Sequence, residues 1–384
     1  MVVELPYGRT PLRVDLGSRD VEVVCAAERP PPPPIDQLLD EALATAQVSL
    51  ASGARVTVII SDPTRAEPRA AFLAALARRF PGVSWTVAVA TGTHGPCDVT
   101  ALGLAASPFG DAVPASLVAP IVNHDGHASR DLIELGTTGY GTRVRVHRCV
   151  VEADLVVLTG CIRPHYFAGF GAGAKAIFPG LGEATAIRFN HRLKTAAGSR
   201  AGIVDGNPCR EDLEEAVRLV PTPKLLVNGV TAPDGQVHAV VAGDLERAFR
   251  AGCDLARPWF TVRARPAAVV IASDALPVTG SLYQASKIAA AVAPWVEPGG
   301  VLVVAAECGD GVGPLETVNE AILRIGILPR LPAGARIVLV SGLPKGVVDQ
   351  TLVEYGADVV SSIGPTNRVV VVPRASQLLC EPWT

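Results

Sequence analysis

The chain has 384 residues, a net charge of −3 and 49% hydrophobic residues, and it is long enough for two domains with sizeable cores. The nearly balanced charge argues against a nucleic-acid-binding protein, and no apolar run reaches the roughly 18 residues of a membrane helix. Eight scattered cysteines without a Cys-x-x-Cys motif argue against a zinc knuckle or a disulfide scaffold. The N-terminus lacks the regions of a signal peptide, so we expect a cytoplasmic protein that binds neither nucleic acid nor a membrane.

The first part of the chain alternates predicted strands, polar loops and helices. Residues 1–27 alternate apolar and polar positions and predict a β-hairpin, and Asp36 is expected to cap a helix at 37–52. The next predicted elements, in chain order, are a strand at 55–61, a helix at 69–80, a strand at 85–90, a strand at 118–123 and a strand at 153–159. Repeated strand–loop–helix units of this kind predict a doubly wound parallel sheet.

The second part continues the α/β pattern. Its predicted elements are a helix at 210–219, a hairpin of 224–229 and 237–242, a helix at 244–260, a strand at 267–272, a helix that ends at 292, and strands at 300–305, 337–341, 359–361 and 369–372. We therefore predict an α/β fold with two lobes. The larger N-terminal domain, residues 1–264, carries the parallel sheet, and a smaller α/β domain, residues 265–384, closes the substrate cleft.

Polar residues collect where the predicted parallel strands end. Asp62 and Arg65 follow the first of these strands, His94 follows the second and His165 follows the fourth. Ligands of doubly wound sheets bind beyond the carboxyl ends of the strands. The planar fork of Arg65 suits a carboxylate, and two histidines on either side of one carbon suit paired acid and base roles.

A glycine-rich loop follows the fourth predicted strand. Gly169, Gly171 and Gly173 allow the backbone to approach a ligand closely, and free N–H groups there could bind a phosphate. Lys175 has three open roles, as a phosphate-binding lysine, a Schiff-base amine or a covalent tether. His191 is the best metal-ligand candidate among the histidines, and any metal would need further donors from a group other than the protein.

Together these residues resemble the nickel-pincer lactate racemase family. The resemblance covers most of the chain, and its segment around His165 and Lys175 is the most specific. The matching segments, in order, are Ser61-Asp-Pro-Thr-Arg65, Thr91-Gly-Thr-His94, Asn123-His-Asp125, Arg163-Pro-His165-Tyr-Phe-Ala-Gly169, Lys175-Ala-Ile-Phe-Pro-Gly180, His191 and Tyr283-Gln284-x-x-Lys287.

The resemblance implies a cofactor that composition alone does not reveal. This nickel-pincer nucleotide is a pyridinium-3-thioamide-5-thiocarboxylate mononucleotide that binds nickel through two sulfurs and a ring carbon. Lys175 would join it by a thioamide, the neighbouring glycines would surround it, and His191 would complete the nickel coordination. Sulfur donors with one imidazole suit square-planar nickel. Cofactor-biosynthesis proteins are the implied partners, because other proteins must make and load the nucleotide.

The resemblance also implies an isomerase that inverts the α-carbon of a small 2-hydroxy acid by reversible hydride transfer to the cofactor. His94 or His165 would take the hydroxyl proton. Arg65 and Lys287 would hold the carboxylate, and the remaining substrate residues would line the cleft or orient their neighbours. The full set implied for the substrate is Asp62, Arg65, Tyr283, Gln284 and Lys287.

Two departures from the family pattern leave the identity of the hydroxy acid open. Gly95 follows His94 where many relatives carry arginine, and Ala174 stands where they often carry a polar residue. Two alternative functions also stay open. One is a Schiff-base lysine enzyme or phosphate-binding transferase that uses Lys175. The other is a non-catalytic two-lobed protein that binds carboxylates through Arg65 and Lys287.

Overall fold

The computed structural model describes residues 1–104 and 108–383, which form two compact units. The central unit comprises Glu28–Pro258, and the terminal unit comprises Met1–Ala27 together with the chain from Trp259 onward. The predicted boundary at 264/265 lies close to the second junction. Residues 1–27, which the prediction assigned to the N-terminal domain, pack with the C-terminal part of the chain instead.

The strands, numbered in chain order, are β1 (Val2–Leu5), β2 (Leu12–Asp15), β3 (Asp20–Val23), β4 (Arg55–Ser61), β5 (Ser84–Ala90), β6 (Val122–Asn123), β7 (Leu132–Thr137), β8 (Arg143–His147), β9 (Leu155–Ile162), β10 (Pro164–His165), β11 (Gly169–Phe170), β12 (Lys224–Thr231), β13 (Val237–Gly243), β14 (Thr261–Ala264), β15 (Ala267–Ser273), β16 (Val296–Ala305), β17 (Arg336–Val340), β18 (Glu354–Gly356), β19 (Arg368–Val372) and β20 (Leu379–Pro382). The α-helices are α1 (Ile35–Thr45), α2 (Arg69–Arg79), α3 (Ala184–His191), α4 (Pro208–Arg218), α5 (Leu245–Phe260), α6 (Leu282–Val292), α7 (Lys345–Val348) and α8 (Val359–Ile363). A π-helix spans Thr317–Ile327. The 3₁₀ turns are Val99–Leu102, Gly110–Ala112, Ala115–Leu117, Ser129–Asp131, Arg148–Val150, Gly173–Ala176, Arg192–Thr195, Val278–Gly280, Ala293–Trp295 and Leu328–Arg330.

The sheet of the central unit has the order β13-β12-β9-β4-β5-β6. All its pairs are parallel except the hairpin of β12 with β13. From β4 the chain builds outward to β5 and β6, and it then returns to the other side of β4 to form β9. The strand order therefore reverses between β4 and β9, which is the point where doubly wound sheets bind their ligands.

Helices cover both faces of this sheet. On one face Leu39 of α1 and Phe72 of α2 join alternate residues of the buried strands in one core. On the other face α5 approaches so closely that a side chain at Gly252 would meet Ile162 at 2.4 Å. Strand β9 is buried at all eight positions, as its unbroken apolar run predicts for a central parallel strand. The predicted doubly wound α/β fold is thus confirmed.

The terminal unit contains a second parallel sheet, with the order β18-β17-β16-β15-β19-β3. Its edge strand β3 comes from the N-terminus and pairs with β19, where Asp20 lies opposite Arg368. An N-terminal hairpin is present, but its second strand is β2 and not the segment from Val21 onward, which lies in β3 and pairs with β19. Leu5 and Leu16 are buried against the sheet. This pairing explains why residues 1–27 belong to the terminal unit.

Several local predictions are wrong. The helix predicted at 37–52 ends at Thr45, and the strand predicted at 118–123 is limited to Val122–Asn123. Residues 359–361 form part of helix α8 rather than a strand, because the Asp358 side chain accepts a hydrogen bond from the Ser361 N–H and caps the helix. Helix α1 begins after Pro34, whose φ of −53° already suits a helix, so Asp36 lies in the first turn and makes no cap. No helix in the described part of the chain has the length and apolar character needed to cross a membrane.

Candidate active site

The loops that follow β4, β5 and β9 meet at one edge of the central sheet. These strands are parallel neighbours, so their carboxyl ends, and the residues just beyond them, lie side by side. The loop after β5 is tied to the glycine-rich loop, because Gly92 donates its N–H to the Gly180 carbonyl at 2.9 Å. The edge predicted from the sequence is therefore assembled from segments far apart in the chain.

Asp62 and His94 form a hydrogen-bonded pair at this edge. The Nδ1 atom of His94 lies 3.0 Å from Oδ2 of Asp62, while the Thr64 N–H and hydroxyl both donate to Oδ1. Burial would raise the pKa of Asp62, but the hydrogen bonds from His94 and Thr64 and the nearby charge of Arg65 lower it to about 2. The carboxylate is therefore ionised near neutral pH and orients the half-exposed ring of His94.

Arg69, at the start of α2, holds the loop that carries Asp62. Its guanidinium is buried and donates to the carbonyl oxygens of Ser61, Asp62 and Arg65. Arg65 itself is exposed. Because Arg69 satisfies the backbone of this turn, the Arg65 side chain extends from a firmly held loop.

His165 lies in a small hairpin formed by β10 and β11. Its half-buried ring accepts a hydrogen bond at Nδ1 from the Ala168 N–H, at 3.2 Å. The peptide between Phe167 and Ala168 is held from its other side, because Asn207 Nδ2 donates to the Phe167 carbonyl at 2.9 Å. Nδ1 of His165 therefore faces a hydrogen-bond donor, whereas Nδ1 of His94 faces an acceptor.

The ring of Phe167 connects three of the predicted site residues. Its centroid lies 4.6 Å from that of His165 and 5.1 Å from that of His191, both in edge-to-face contacts. The Lys175 Nζ lies 5.6 Å from the same centroid, a distance typical of a cation–π contact. Phe167 is buried, so one apolar ring brings together two imidazoles and an amine.

His191 occupies an environment that keeps its imidazole neutral. Burial, and then the positive charge of Lys175, lower its pKa to about 4, against a weaker opposite effect of the Ile187 backbone. Its Nδ1 atom is buried and makes no hydrogen bond of normal geometry with residues 1–104 and 108–383. A neutral imidazole is the form that binds metal ions.

The glycines of the loop differ in how strongly the structure requires them. At Gly169 an added Cβ would lie 2.0 Å from the Ile203 carbonyl oxygen, and at Gly173 it would lie 2.5 Å from the Phe249 ring. Both have a positive φ, so both positions require glycine. At Gly171 an added Cβ would make only ordinary contacts, 3.6 Å or longer.

Ala172 adopts a backbone conformation that normally belongs to glycine, with φ 60° and ψ −155°. It directly precedes the 3₁₀ turn that carries Lys175. The Gly173 N–H is held by the buried side chain of Asn228, whose Oδ1 accepts it at 2.9 Å, and Asn228 Nδ2 donates in turn to the Leu158 carbonyl on β9. The Lys175 turn is therefore strained at its start and anchored to the central strands.

The remaining predicted substrate residues lie on α6 in the terminal unit. Tyr283, Gln284 and Lys287 are half-buried in its first two turns, and Lys287 Nζ donates to Gln284 Oε1 at 2.5 Å. Ser281 caps this helix by accepting from the Gln284 N–H. The joint grip of Arg65 and Lys287 on one carboxylate stays a prediction.

Sequence reasoning missed the residues that hold the site together. Arg69, Phe167 and Asn228 were not singled out, although each contacts the backbone or a ring of a predicted site residue. Asn207, which donates to the Phe167 carbonyl, was missed as well. Asn207 precedes a proline at a helix start, which signals a helix cap, and it does accept from the Arg210 N–H. Its second bond, to the Phe167 carbonyl, joins positions 40 residues apart and has no local signal.

Comparison with known proteins agrees with this arrangement. The family model described as the lactate racemase N-terminal domain matches residues 7–203, just over half of the chain. The chain belongs to the lactate racemase family. The resemblance expected from the sequence is thereby confirmed, and family membership makes the protein an isomerase of the racemase type.

Individual relatives support the same assignment. The lactate racemase of Thermoanaerobacterium thermosaccharolyticum is 29% identical over 327 residues, which cover 81% of this chain and 75% of the relative. The lactate racemase of Lactiplantibacillus plantarum is 29% identical over 267 residues, covering 67% and 61%.

Solved structures share the fold. The lactate racemase apoprotein of T. thermosaccharolyticum superposes with a TM-score of 0.84 at 24% identity over 99% of this chain and 100% of its own. A protein from Thermotoga maritima superposes with a TM-score of 0.67 at 16% identity, covering 91% and 97%.

Proposed function

We propose that this lactate racemase-like protein is a racemase or epimerase that inverts the α-carbon of a small 2-hydroxy acid. The observation that carries the proposal is the ring of Phe167, which contacts His165, His191 and Lys175. This grouping supports a reaction in which an imidazole that handles protons works beside an anchored, metal-containing cofactor.

The residues around Lys175 fit the nickel-pincer nucleotide. His191 is neutral at working pH, and its buried Nδ1 lacks a hydrogen-bond partner among the described residues. A buried polar atom in this state calls for an explanation, and a bound metal ion is one that fits an imidazole nitrogen. The described residues contain no group of three or more His, Cys, Asp and Glu side chains that could hold a metal ion, so the sulfur and carbon donors of the cofactor would complete the coordination.

Lys175 and the loop glycines would hold the nucleotide. The Lys175 amine would carry the tether. Gly169 and Gly173 pack with their Cβ positions against Ile203 and Phe249, and their backbone would lie beside the nucleotide. Gly171 belongs to the same loop and would contribute backbone alone. When bound, the cofactor would accept the α-carbon hydride of the substrate and return it.

The other site residues would act on the substrate. His94 and His165 would handle the hydroxyl proton, and the ionised Asp62 would stabilise His94 when it carries that proton. Arg65 would bind the substrate carboxylate through its planar fork. The contacts proposed from the terminal unit are those of Tyr283, Gln284 and Lys287.

The cofactor also defines the partners that we propose. Proteins that synthesise the nickel-pincer nucleotide must act before this chain becomes active, and a small 2-hydroxy acid is its substrate. The cytoplasmic location predicted from the sequence stays a prediction.

The decisive experiment measures cofactor attachment in protein produced together with the cofactor-biosynthesis proteins. Intact mass and nickel content of Lys175→Ala are compared with those of Lys194→Ala, a matched loss of one half-buried lysine just beyond His191. We expect Lys175→Ala to lose the adduct and the nickel, and Lys194→Ala to keep both. Chiral chromatography then follows the conversion of single enantiomers of 2-hydroxy acids.

Three results would contradict the proposal. An unchanged adduct mass in Lys175→Ala would show that Lys175 does not attach the cofactor. Borohydride trapping of a carbonyl ligand on Lys175, with full activity in nickel-free protein, would indicate a Schiff-base enzyme. Tight binding of 2-hydroxy acids by nickel-loaded protein without any loss of chirality would indicate a carboxylate-binding protein.

A further inference from the structure

The motif Asn123-His124-Asp125 has no role in the proposed reaction, although it lies between two parts of the candidate site. It begins at the end of β6, which pairs with β5. Residues 123–126, the connector, contact residues 91–97, the His94 loop, on one side. On the other side they contact residues 180–184, the exit segment, which follows the Lys175 turn.

The connector holds both ends of the His94 loop. At one end the buried Thr91 donates its hydroxyl to the His124 carbonyl at 2.8 Å. At the other end the Asn123 side chain binds both backbone groups of Cys97, since Oδ1 accepts from the N–H at 3.0 Å and Nδ2 donates to the carbonyl at 2.7 Å. His94 lies between these two anchors, so the connector determines where its backbone lies.

The connector also holds the exit segment. Nε2 of His124 lies 2.9 Å from the Gly182 carbonyl oxygen, and because a carbonyl oxygen only accepts, Nε2 carries the proton and donates. The Gly126 carbonyl accepts from the Ala184 N–H at 2.9 Å. Ala184 is the first residue of α3, the helix that ends at His191. The connector thus links the His94 loop to the helix of the proposed nickel ligand.

The ring of His124 is present for its hydrogen bond to Gly182. His124 is fully buried, and its Nδ1 atom makes no hydrogen bond of normal geometry with the described residues. Burial lowers the pKa of His124, against the opposing effect of its bond to Gly182, so the ring is neutral near pH 7. A buried polar ring costs more free energy than an apolar side chain, and what it supplies in return is the donor to Gly182.

Gly126 is packed between the two loops. An added Cβ would lie 3.0 Å from the Gly182 carbonyl oxygen, 3.1 Å from the Ala184 nitrogen and 3.2 Å from the Gly92 carbonyl oxygen. All three neighbours are backbone atoms, one in the His94 loop and two in the exit segment. The φ of Gly126 is not positive, so these close contacts rather than the backbone conformation require the glycine.

We propose that Asn123 and His124 are positioning residues which, with Gly126, fix the spacing between the His94 loop and the chain that carries the cofactor. The inference rests on the proposed racemase function. Neither side chain touches substrate or nucleotide in this role, because both act through the loops that they hold. A misplacement of about 1 Å between reacting groups lowers a rate by about 10²-fold, so a fixed spacing bears directly on turnover.

The first test needs neither cofactor nor activity. Hydrogen–deuterium exchange of the full-length apoprotein, followed by mass spectrometry, reports how firmly each segment is held. Asn123→Leu, which has a similar size and no hydrogen-bonding groups, should accelerate exchange in peptides that cover the His94 loop. Peptides from β15 and β16 of the terminal unit should exchange as in the parent, which controls for a general loss of structure.

A matched pair of amides tests His124 in the same experiment. The amide of His124→Gln ends near the former Nε2 position and can donate to Gly182, whereas the shorter amide of His124→Asn cannot reach it. Exchange in peptides of the exit segment should be faster in His124→Asn and close to that of the parent in His124→Gln. Parental exchange of the His94 loop in Asn123→Leu, or of the exit segment in His124→Asn, would overturn the proposal.

The second test measures turnover by the loaded enzyme. Gly126→Ala retains every hydrogen-bonding group but forces the two loops apart by a few tenths of an ångström. With chiral chromatography as the assay, kcat per bound nickel should fall by roughly 10–10²-fold in Gly126→Ala and His124→Asn, with KM little changed, and His124→Gln should regain most of it.

A merely structural role predicts a different result. It would lower the urea midpoint of His124→Asn but leave kcat per bound nickel at the parental value in both His124→Asn and Gly126→Ala, and that outcome would overturn the proposal. If the unsubstituted, nickel-loaded enzyme racemises no 2-hydroxy acid, the proposed function fails instead. The exchange data from the apoprotein then still decide whether Asn123 and His124 hold the two loops.

Discussion

Substitutions at two adjacent residues of the loop before Lys175, Ala172 and Gly173, should change the stability of the protein in opposite directions. Ala172 is held at φ 60° and ψ −155°, a conformation that costs a residue with a side chain about 1–3 kcal/mol. Ala172→Gly removes this cost but gives the unfolded chain more freedom, which opposes folding by about 0.4–1 kcal/mol. We expect the variant to be more stable than the parent by about 1.3 kcal/mol, the difference between the midpoints of these two ranges.

Gly173→Ala is the matched control, because it adds the same methyl group one residue later. Gly173 also has a positive φ, of 63°, and the new Cβ would lie 2.5 Å from Phe249 Cδ2 and 2.9 Å from Arg210 Nη2. Backbone strain of about 1–2 kcal/mol and overpacking of about 1–3 kcal/mol act in the same direction. We expect a loss of roughly 2–5 kcal/mol, their sum.

Urea unfolding of the apoproteins measures both changes. Tryptophan fluorescence, to which the buried Trp85 of the central unit contributes, should report a higher midpoint for Ala172→Gly and a lower one for Gly173→Ala, with unchanged slopes. A lower midpoint for Ala172→Gly would show that the alanine is not strained. The idea that the start of the Lys175 turn stores backbone energy would then be wrong.

Three further predictions concern the same edge of the sheet. The pKa of Asp62 is lowered to about 2 in the folded protein, so the ionised carboxylate contributes about 2 kcal/mol to the free energy of unfolding. This contribution is present above pH 4 and is lost as the pH falls from about 4 towards 2. A plot of the urea midpoint against pH should show the loss, and Asp62→Asn should not show it. Asn228→Ala removes the side chain that hydrogen-bonds the Gly173 N–H and the Leu158 carbonyl, and it should destabilise the apoprotein by about 1–3 kcal/mol. The same urea titration measures this loss, and an unchanged midpoint would refute the anchoring role of Asn228. His191→Leu removes a buried nitrogen that has no hydrogen-bond partner among the described residues. The variant should stabilise the apoprotein by about 1 kcal/mol, while the loaded protein loses nickel. A destabilised variant would show that His191 is kept for packing.

Much of the fold was readable because it depends on local patterns. The buried apolar run of β9 and the strand–loop–helix repeats predicted a parallel sheet, and polar residues after β4, β5 and β9 predicted its binding edge. Where a prediction was wrong, a capping residue or a strand distant in the sequence determined the secondary structure or the pairing. Asp358 caps α8 although Val359 and Val360 favour a strand, and β3 joins the terminal sheet through its pairing with β19.

The amino-acid sequence by itself determined which functional groups this protein carries and, through the motifs around His165 and Lys175, the family to which it belongs. Only the tertiary structure decided how those groups are set. Asp62 meets His94 across 32 residues, and Asn207 fixes the peptide that faces His165 across 40. The ionised state of Asp62 and the neutral state of His191 depend on such contacts. The pKa of each group follows from hydrogen bonds and burial that form only when distant segments pack together.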